Sequence, residues 1–122
     1  MSSPLYHLEI ISVGGFVAEY LQEDKLILFA DPVPPDIADY CAVHRPGELN
    51  TVLLPGLAVK INNAFYRITA VGDVATANLK QLGHITLNFD GAIDAELPGT
   101  VHLCGPTPKN ILPGDQIFIF RQ

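Results

Sequence analysis

An all-β fold, a closed or nearly closed β-barrel with one short helix, is what this sequence predicts, and three observations predict it. Apolar runs of strand length recur along the chain between glycine and proline breaks. Three tripeptides, Leu54-Pro55-Gly56, Leu97-Pro98-Gly99 and Leu112-Pro113-Gly114, each precede such a run, and Pro-Gly suits the second and third positions of a type II turn. Only one segment carries helical spacing. Regularly spaced short strands favour closure, because a barrel has no open edges to protect.

The elements follow in order. Leu5 to Val13 and Lys25 to Ala30 are rich in Leu, Ile, Val and aromatic residues and end at Gly14-Gly15 and Asp31-Pro32, which predicts two strands. Asp31 to Asp36 is a loop, since its prolines offer no amide to a ladder, and one helical turn is expected over Asp36 to Tyr40. The apolar run Cys41-Ala42-Val43 ends in His44, read as a strand end opening into a loop. Ala58 to Ile61 and Ala64 to Val71 flank Asn62-Asn63, a pair able to take the positive φ of a tight hairpin turn. A helix is expected over Val74 to Leu82, with Asp73 as N-cap, Ala75, Leu79 and Leu82 on one face, and Gly83 as its stop. His84 to Phe89, Thr100 to Cys104 and Gln116 to Phe120 complete the strands.

Size and composition bound the rest. The 122 residues are expected to form one domain, and 48% hydrophobic content builds a core without disulfides. With only two cysteines, Cys41 and Cys104, and no basic-then-apolar leader at the N-terminus, a reducing cytoplasm is the expected location. No apolar run approaches the roughly 20 residues that span a bilayer. Seven basic against thirteen acidic side chains, a formal charge of −6, make nucleic acid a poor partner.

The chemistry centres on four histidines. His7 lies in an alternating strand and is read as a surface or half-buried residue without a role. His44, followed by Arg45, Pro46 and Gly47, is expected to be exposed where a strand opens into a loop; pattern alone leaves open a nucleophile and a plain polar strand end. His84 and His102 are expected to point outward from strands. Cys41-x-x-His44 and His102-x-Cys104 offer a zinc-type donor set, but without the usual paired spacings. Buried free cysteines acting as small apolar residues are the simpler reading. Asp90, Asp94 and Glu48 beside His44 are acidic residues able to orient an imidazole, or simply to form turns. No G-x-S-x-G elbow and no P-loop is present.

The chain resembles the glucitol/sorbitol-specific IIA component of the bacterial phosphoenolpyruvate-dependent sugar phosphotransferase system, from Tyr6 to Phe120. The segments ADYCAVHRPGEL (Ala38 to Leu49), ITAVGDVATANLKQLGHITLNFDG (Ile68 to Gly91), ELPGTVHLCGPTP (Glu96 to Pro108) and LPGDQIFIF (Leu112 to Phe120) carry the likeness. It implies a mostly-β barrel without a cofactor. It also implies that the histidine after Tyr-Cys-x-x, here His44, takes a phosphoryl group from the phosphocarrier protein HPr and gives it to a cysteine of the IIB component for hexitol uptake. Some relatives carry a second histidine where this chain has Pro46, and Arg45 and Arg67 match no fixed basic position of the family. His84, His102 and Glu48 are the expected neighbours of the phosphate. The alternative left standing is a zinc-stabilised or small-ligand-binding barrel without catalysis.

Overall fold

The computed structural model describes residues 4–95 and 97–121, so residues 1–3, the end residue 122 and Glu96, which opens one of the resemblance segments, lie outside it. Eight strands close into a barrel: β1 (Tyr6–Val13), β2 (Lys25–Ala30), β3 (Cys41–His44), β4 (Ala58–Ile61), β5 (Ala64–Val71), β6 (Ile85–Asn88), β7 (Thr100–Cys104) and β8 (Gln116–Phe120). Around the wall they run β1-β3-β2-β6-β7-β5-β4-β8. The β2–β3 and β6–β7 pairs are parallel and the other pairings antiparallel. Two helices, α1 (Val17–Leu21) and α2 (Ala75–Leu82), and a 3-10 turn at Ala38–Tyr40 lie between strands.

Period-two alternation decides what faces inward. Leu8 and Ile10 of β1, Leu26 and Leu28 of β2, Ile68 of β5 and Leu103 of β7 are all buried in one core. Leu53 from a loop and Leu79 from α2 join them. The packed interior leaves about 10 Å³ free, too little for a ligand. A second, smaller cluster on the outer wall joins Phe29, Cys41 and Val43 to Val33 and Ile37 of the proline-rich loop.

The Pro-Gly corners differ among themselves. Gly56 and Gly114 take φ of +96° and +93°, and Leu57 and Asp115 donate back to Leu54 and Leu112, as a type II turn requires. Thr100 also donates back to Leu97, but Gly99 is not among the positive-φ residues, so that corner is a turn of another type. In the β4–β5 hairpin Asn62 alone of the pair takes positive φ, at +53°.

The helices show what pattern reading missed. Helix α1, five residues with no side-chain cap, was not expected at all. The N-cap of α2 is Val74 and not Asp73, and no side chain caps it. Leu82, expected on the buried face, is 47% exposed. Gly83 does end the helix, in the left-handed conformation.

Candidate functional site

His44 is the last residue of β3, and its backbone is tied on both sides. It stands opposite Ile10 of β1 and Ala30 of β2, and its carbonyl accepts from the Asp31 amide at 2.8 Å. Alternation with the core residue Ala42 turns its side chain to the inner side of the wall, at the end of the barrel that α2 covers. The ring is fully buried, at 0% exposure, which corrects the expected exposed strand end. The reason is tertiary: the C-terminal corner of α2 crosses the barrel mouth and sets Gly83 against the ring.

Both ring nitrogens are engaged. Nδ1 lies 2.7 Å from the carbonyl oxygen of Arg45, and Nε2 lies 2.8 Å from that of Gly83. Carbonyls only accept, so both contacts are hydrogen bonds together only when both nitrogens carry protons. In a neutral ring one nitrogen donates and the other presents its lone pair to a carbonyl. Nε2 meets the C-terminal end of α2, whose partial negative charge favours an N–H pointing at it. Glu48, proposed from sequence as an orienting carboxylate, is exposed and makes no side-chain hydrogen bond among the described residues. The backbone holds the imidazole instead.

Beside the ring a groove of about 220 Å³ opens between Asp31-Pro32, Pro46-Gly47 and the Lys80–Gly83 end of α2. Lys80 is the cation on its wall and Leu82 an exposed apolar residue at its rim. Sequence reading singled out neither Lys80 nor the carbonyl of Gly83 for this site. A lysine in the last turn of a helix that ends in glycine was the available signal, but it is also what any well-formed helix end shows.

The other histidines lie elsewhere. His7 is exposed, with Nε2 donating to Gln116 Oε1 at 2.6 Å and its ring stacked on Phe118. His84 adjoins Gly83 but belongs to the outer side; its Nδ1 donates to the Leu28 carbonyl at 3.0 Å and its ring leans on Phe29. His102 stands opposite Asn88 on β6, four residues beyond His84, or about 13 Å along the strand. From β3 to β7 is also three strand spacings, about 14 Å around the wall. His84 is therefore near the His44 groove in the chain but turned outward, and His102 is remote from it.

The zinc-type set is not assembled. Cys41 and His44, three apart on one strand, fall on opposite faces, Cys41 in the outer cluster and His44 on the inner side. Burial pushes the Cys41 thiol above its ordinary value, as for a small core residue. Cys104, at the end of β7, is exposed. Among the described residues no three His, Cys, Asp or Glu side chains gather as metal ligands.

Comparison with known proteins converges on one family. A family model described as "PTS system glucitol/sorbitol-specific IIA component" matches residues 5–118. The proteins named PTS system glucitol/sorbitol-specific EIIA component from Shigella flexneri and Escherichia coli (strain K12) are each 44% identical over 110 residues, 90% of this chain and 89% of theirs. In fold, the chain is similar to the crystal structure of a PTS system IIA component from Enterococcus faecalis V583. The TM-score is 0.78 at 22% identity, over 93% of this chain and 98% of that one.

Proposed function

This chain belongs to the glucitol/sorbitol-specific IIA family, the phosphocarrier and phosphotransferase component of a sugar phosphotransferase system, and on that premise we propose that His44 holds the phosphoryl group. The donor is phospho-HPr, the acceptor a cysteine of the IIB component, and the relay serves hexitol uptake from the cytoplasmic side. No helix of the described residues is long and apolar enough to cross a membrane.

One observation carries the assignment to His44: of the four histidines, it alone has its ring at the closed barrel mouth beside a groove, held between a carbonyl of its own strand end and a carbonyl of a separate element. Arg45 is its chain neighbour and moves with it. Gly83 sits at a helix corner and can part from it. Withdrawal of the Gly83 carbonyl frees Nε2 at a cost of about 1 kcal/mol for the hydrogen bond. With that carbonyl withdrawn, Arg45 supplies the acceptor left at the ring, so the proton on Nε2 is given up to water. The neutral imidazole then carries its proton on Nδ1, donated to the Arg45 carbonyl, which fixes the tautomer with the Nε2 lone pair free.

The Nε2 lone pair then attacks phosphorus as the phosphorus–nitrogen bond to the donor histidine breaks, its electron pair leaving with the donor imidazole. Lys80 on the groove wall offsets the charge of the phosphoryl oxygens. Transfer onward reverses the geometry, with the IIB thiolate attacking and the His44 imidazole leaving.

The test is phosphorylation by phosphoenolpyruvate, enzyme I and HPr. The expected product is an acid-labile, base-stable phosphate at residue 44, and His44→Ala takes up none from phospho-HPr and delivers none to IIB. A His44→Ala chain that is fully labelled by phospho-HPr moves the site elsewhere.

A further inference from the structure

The histidine whose ring is best prepared as a nucleophile outside the His44 site is His102, on the outer wall of the barrel. Its Nδ1 donates to Asp90 Oδ1 at 2.8 Å, and the same carboxylate oxygen accepts from the Ala92 amide at 3.0 Å. Burial raises the Asp90 carboxyl, yet the Ala92 amide and the His102 ring outweigh it and hold the group below the ordinary carboxylate value. A carboxylate held ionised in this way keeps the proton on Nδ1 and the lone pair on Nε2. That Nε2 is buried, on a residue only 4% exposed, and has no hydrogen-bond partner. A buried polar atom left unpaired costs about 1–3 kcal/mol, a cost that a new bond at Nε2 removes.

His102 is one of the residues lining a groove of about 350 Å³ on the outer faces of β2, β6 and β7, and its buried Nε2 meets a molecule in that groove only when the ring tips toward it about the Nδ1–Asp90 bond. Thr86, Asn88 and Thr100 line it, and none of their side chains is engaged in a hydrogen bond among the described residues. Lys25 supplies a cation; Glu23, of opposite charge, lies on the same wall. Hydroxyls, an amide and one ammonium are what phosphoryl oxygens need around them. The volume admits a small molecule.

We propose that His102 is a second phosphoryl acceptor, loaded at Nε2 by a small donor of the phosphoramidate class and independent of the protein relay through His44. The Nε2 lone pair forms the new bond to phosphorus while the donor's phosphorus–nitrogen bond breaks, and the protonated amine leaves with that electron pair as ammonia. Nδ1–H stays on Asp90 throughout. Asp90 is a positioning residue, since it touches only the far side of the ring.

The experiment incubates the full chain with potassium phosphoramidate, counts phosphoryl groups by intact mass under alkaline conditions, and separates residue 102 from residue 84 by fragmentation. Wild type and His44→Ala are both expected to carry a phosphoryl on residue 102. His102→Asn, whose amide N–H can still reach Asp90, is expected to lose it while still accepting from phospho-HPr at His44. Asp90→Asn is expected to slow loading of residue 102 about tenfold without changing loading of His44. An unlabelled residue 102 in the wild type, or equal rates in Asp90→Asn and wild type, overturns the proposal. The outcome at residue 44 is read separately with phospho-HPr, so failure of one assignment leaves the other standing.

Discussion

Gly83 and His44 meet at the barrel mouth: the Gly83 carbonyl oxygen lies 2.8 Å from His44 Nε2, and a Cβ added to Gly83 would stand 2.8 Å from His44 Cε1. The same Cβ would overlap the Cβ of Ala30, and Gly83 has φ of +63°. Only glycine therefore lets the α2 corner close over the ring.

Gly83→Ala is accordingly expected to lose stability by about 2–5 kcal/mol, combining left-handed strain with overpacking. It should also speed phosphorylation of His44 by phospho-HPr, because a corner that cannot close leaves Nε2 free of the Gly83 carbonyl. Urea unfolding reads the first effect and the labelling rate the second. Adding Ala30→Gly should recover part of the loss, because it removes the nearest overlap; no recovery would mean that backbone strain alone sets the cost.

Much of this architecture was legible because it rests on local rules. Strands such as Lys25–Ala30 and Gln116–Phe120 were bounded by glycine, proline and acidic breaks, and the Asn62 hairpin and the Gly83 stop declared their own backbone geometry. The five-residue α1 lacked both a cap and enough length to show a period. The burial of His44 was illegible for a different reason. It depends on Gly83, 39 positions away, crossing the barrel end, and nothing in Cys41-Ala42-Val43-His44 encodes that. For the same reason His84 and His102 looked equivalent in sequence, although one leans on Phe29 and the other is bound to Asp90.

Tyr6 points into the barrel with a buried hydroxyl that has no partner, and burial pushes its pKa from the ordinary 10.0 to about 12. Between those values the folded chain keeps a proton that the unfolded chain has lost. Stability is thus full below pH 10 and falls as pH rises toward 12, by about 2–3 kcal/mol. Tyr6→Phe should raise stability at neutral pH by about 1 kcal/mol and flatten much of this alkaline decline. A residual slope is expected from Tyr66, also raised by burial. Denaturant midpoints at neutral and alkaline pH check both parts, and an unchanged alkaline slope in Tyr6→Phe would count against the buried hydroxyl.

Leu79 is 1% exposed and links two regions, since it joins the barrel core and also walls the groove beside His44. Leu79→Ala should cost about 2–5 kcal/mol. Because the lost contacts anchor α2, the Gly83 corner should loosen as well. Faster hydrogen exchange at the Gly83 amide, which donates to the Leu79 carbonyl at 3.0 Å, is the expected signature. Exchange that rises only in step with global stability would show that α2 and the barrel open together.

Lys80 tests the electrostatics of the His44 groove without touching the core. Its side chain is exposed and engages in no salt bridge among the described residues, so Lys80→Ala should shift stability by no more than about 0.5 kcal/mol. If Lys80 offsets the phosphoryl charge, the variant should accept phosphate from phospho-HPr about tenfold more slowly, as expected for loss of one charge-assisted contact. Lys80→Arg should restore most of the rate, because it keeps the cation at the groove wall. Added salt should narrow the gap between wild type and Lys80→Ala, since screening weakens what the exposed ammonium supplies. Equal rates in all three chains would place charge stabilisation on the partner protein instead.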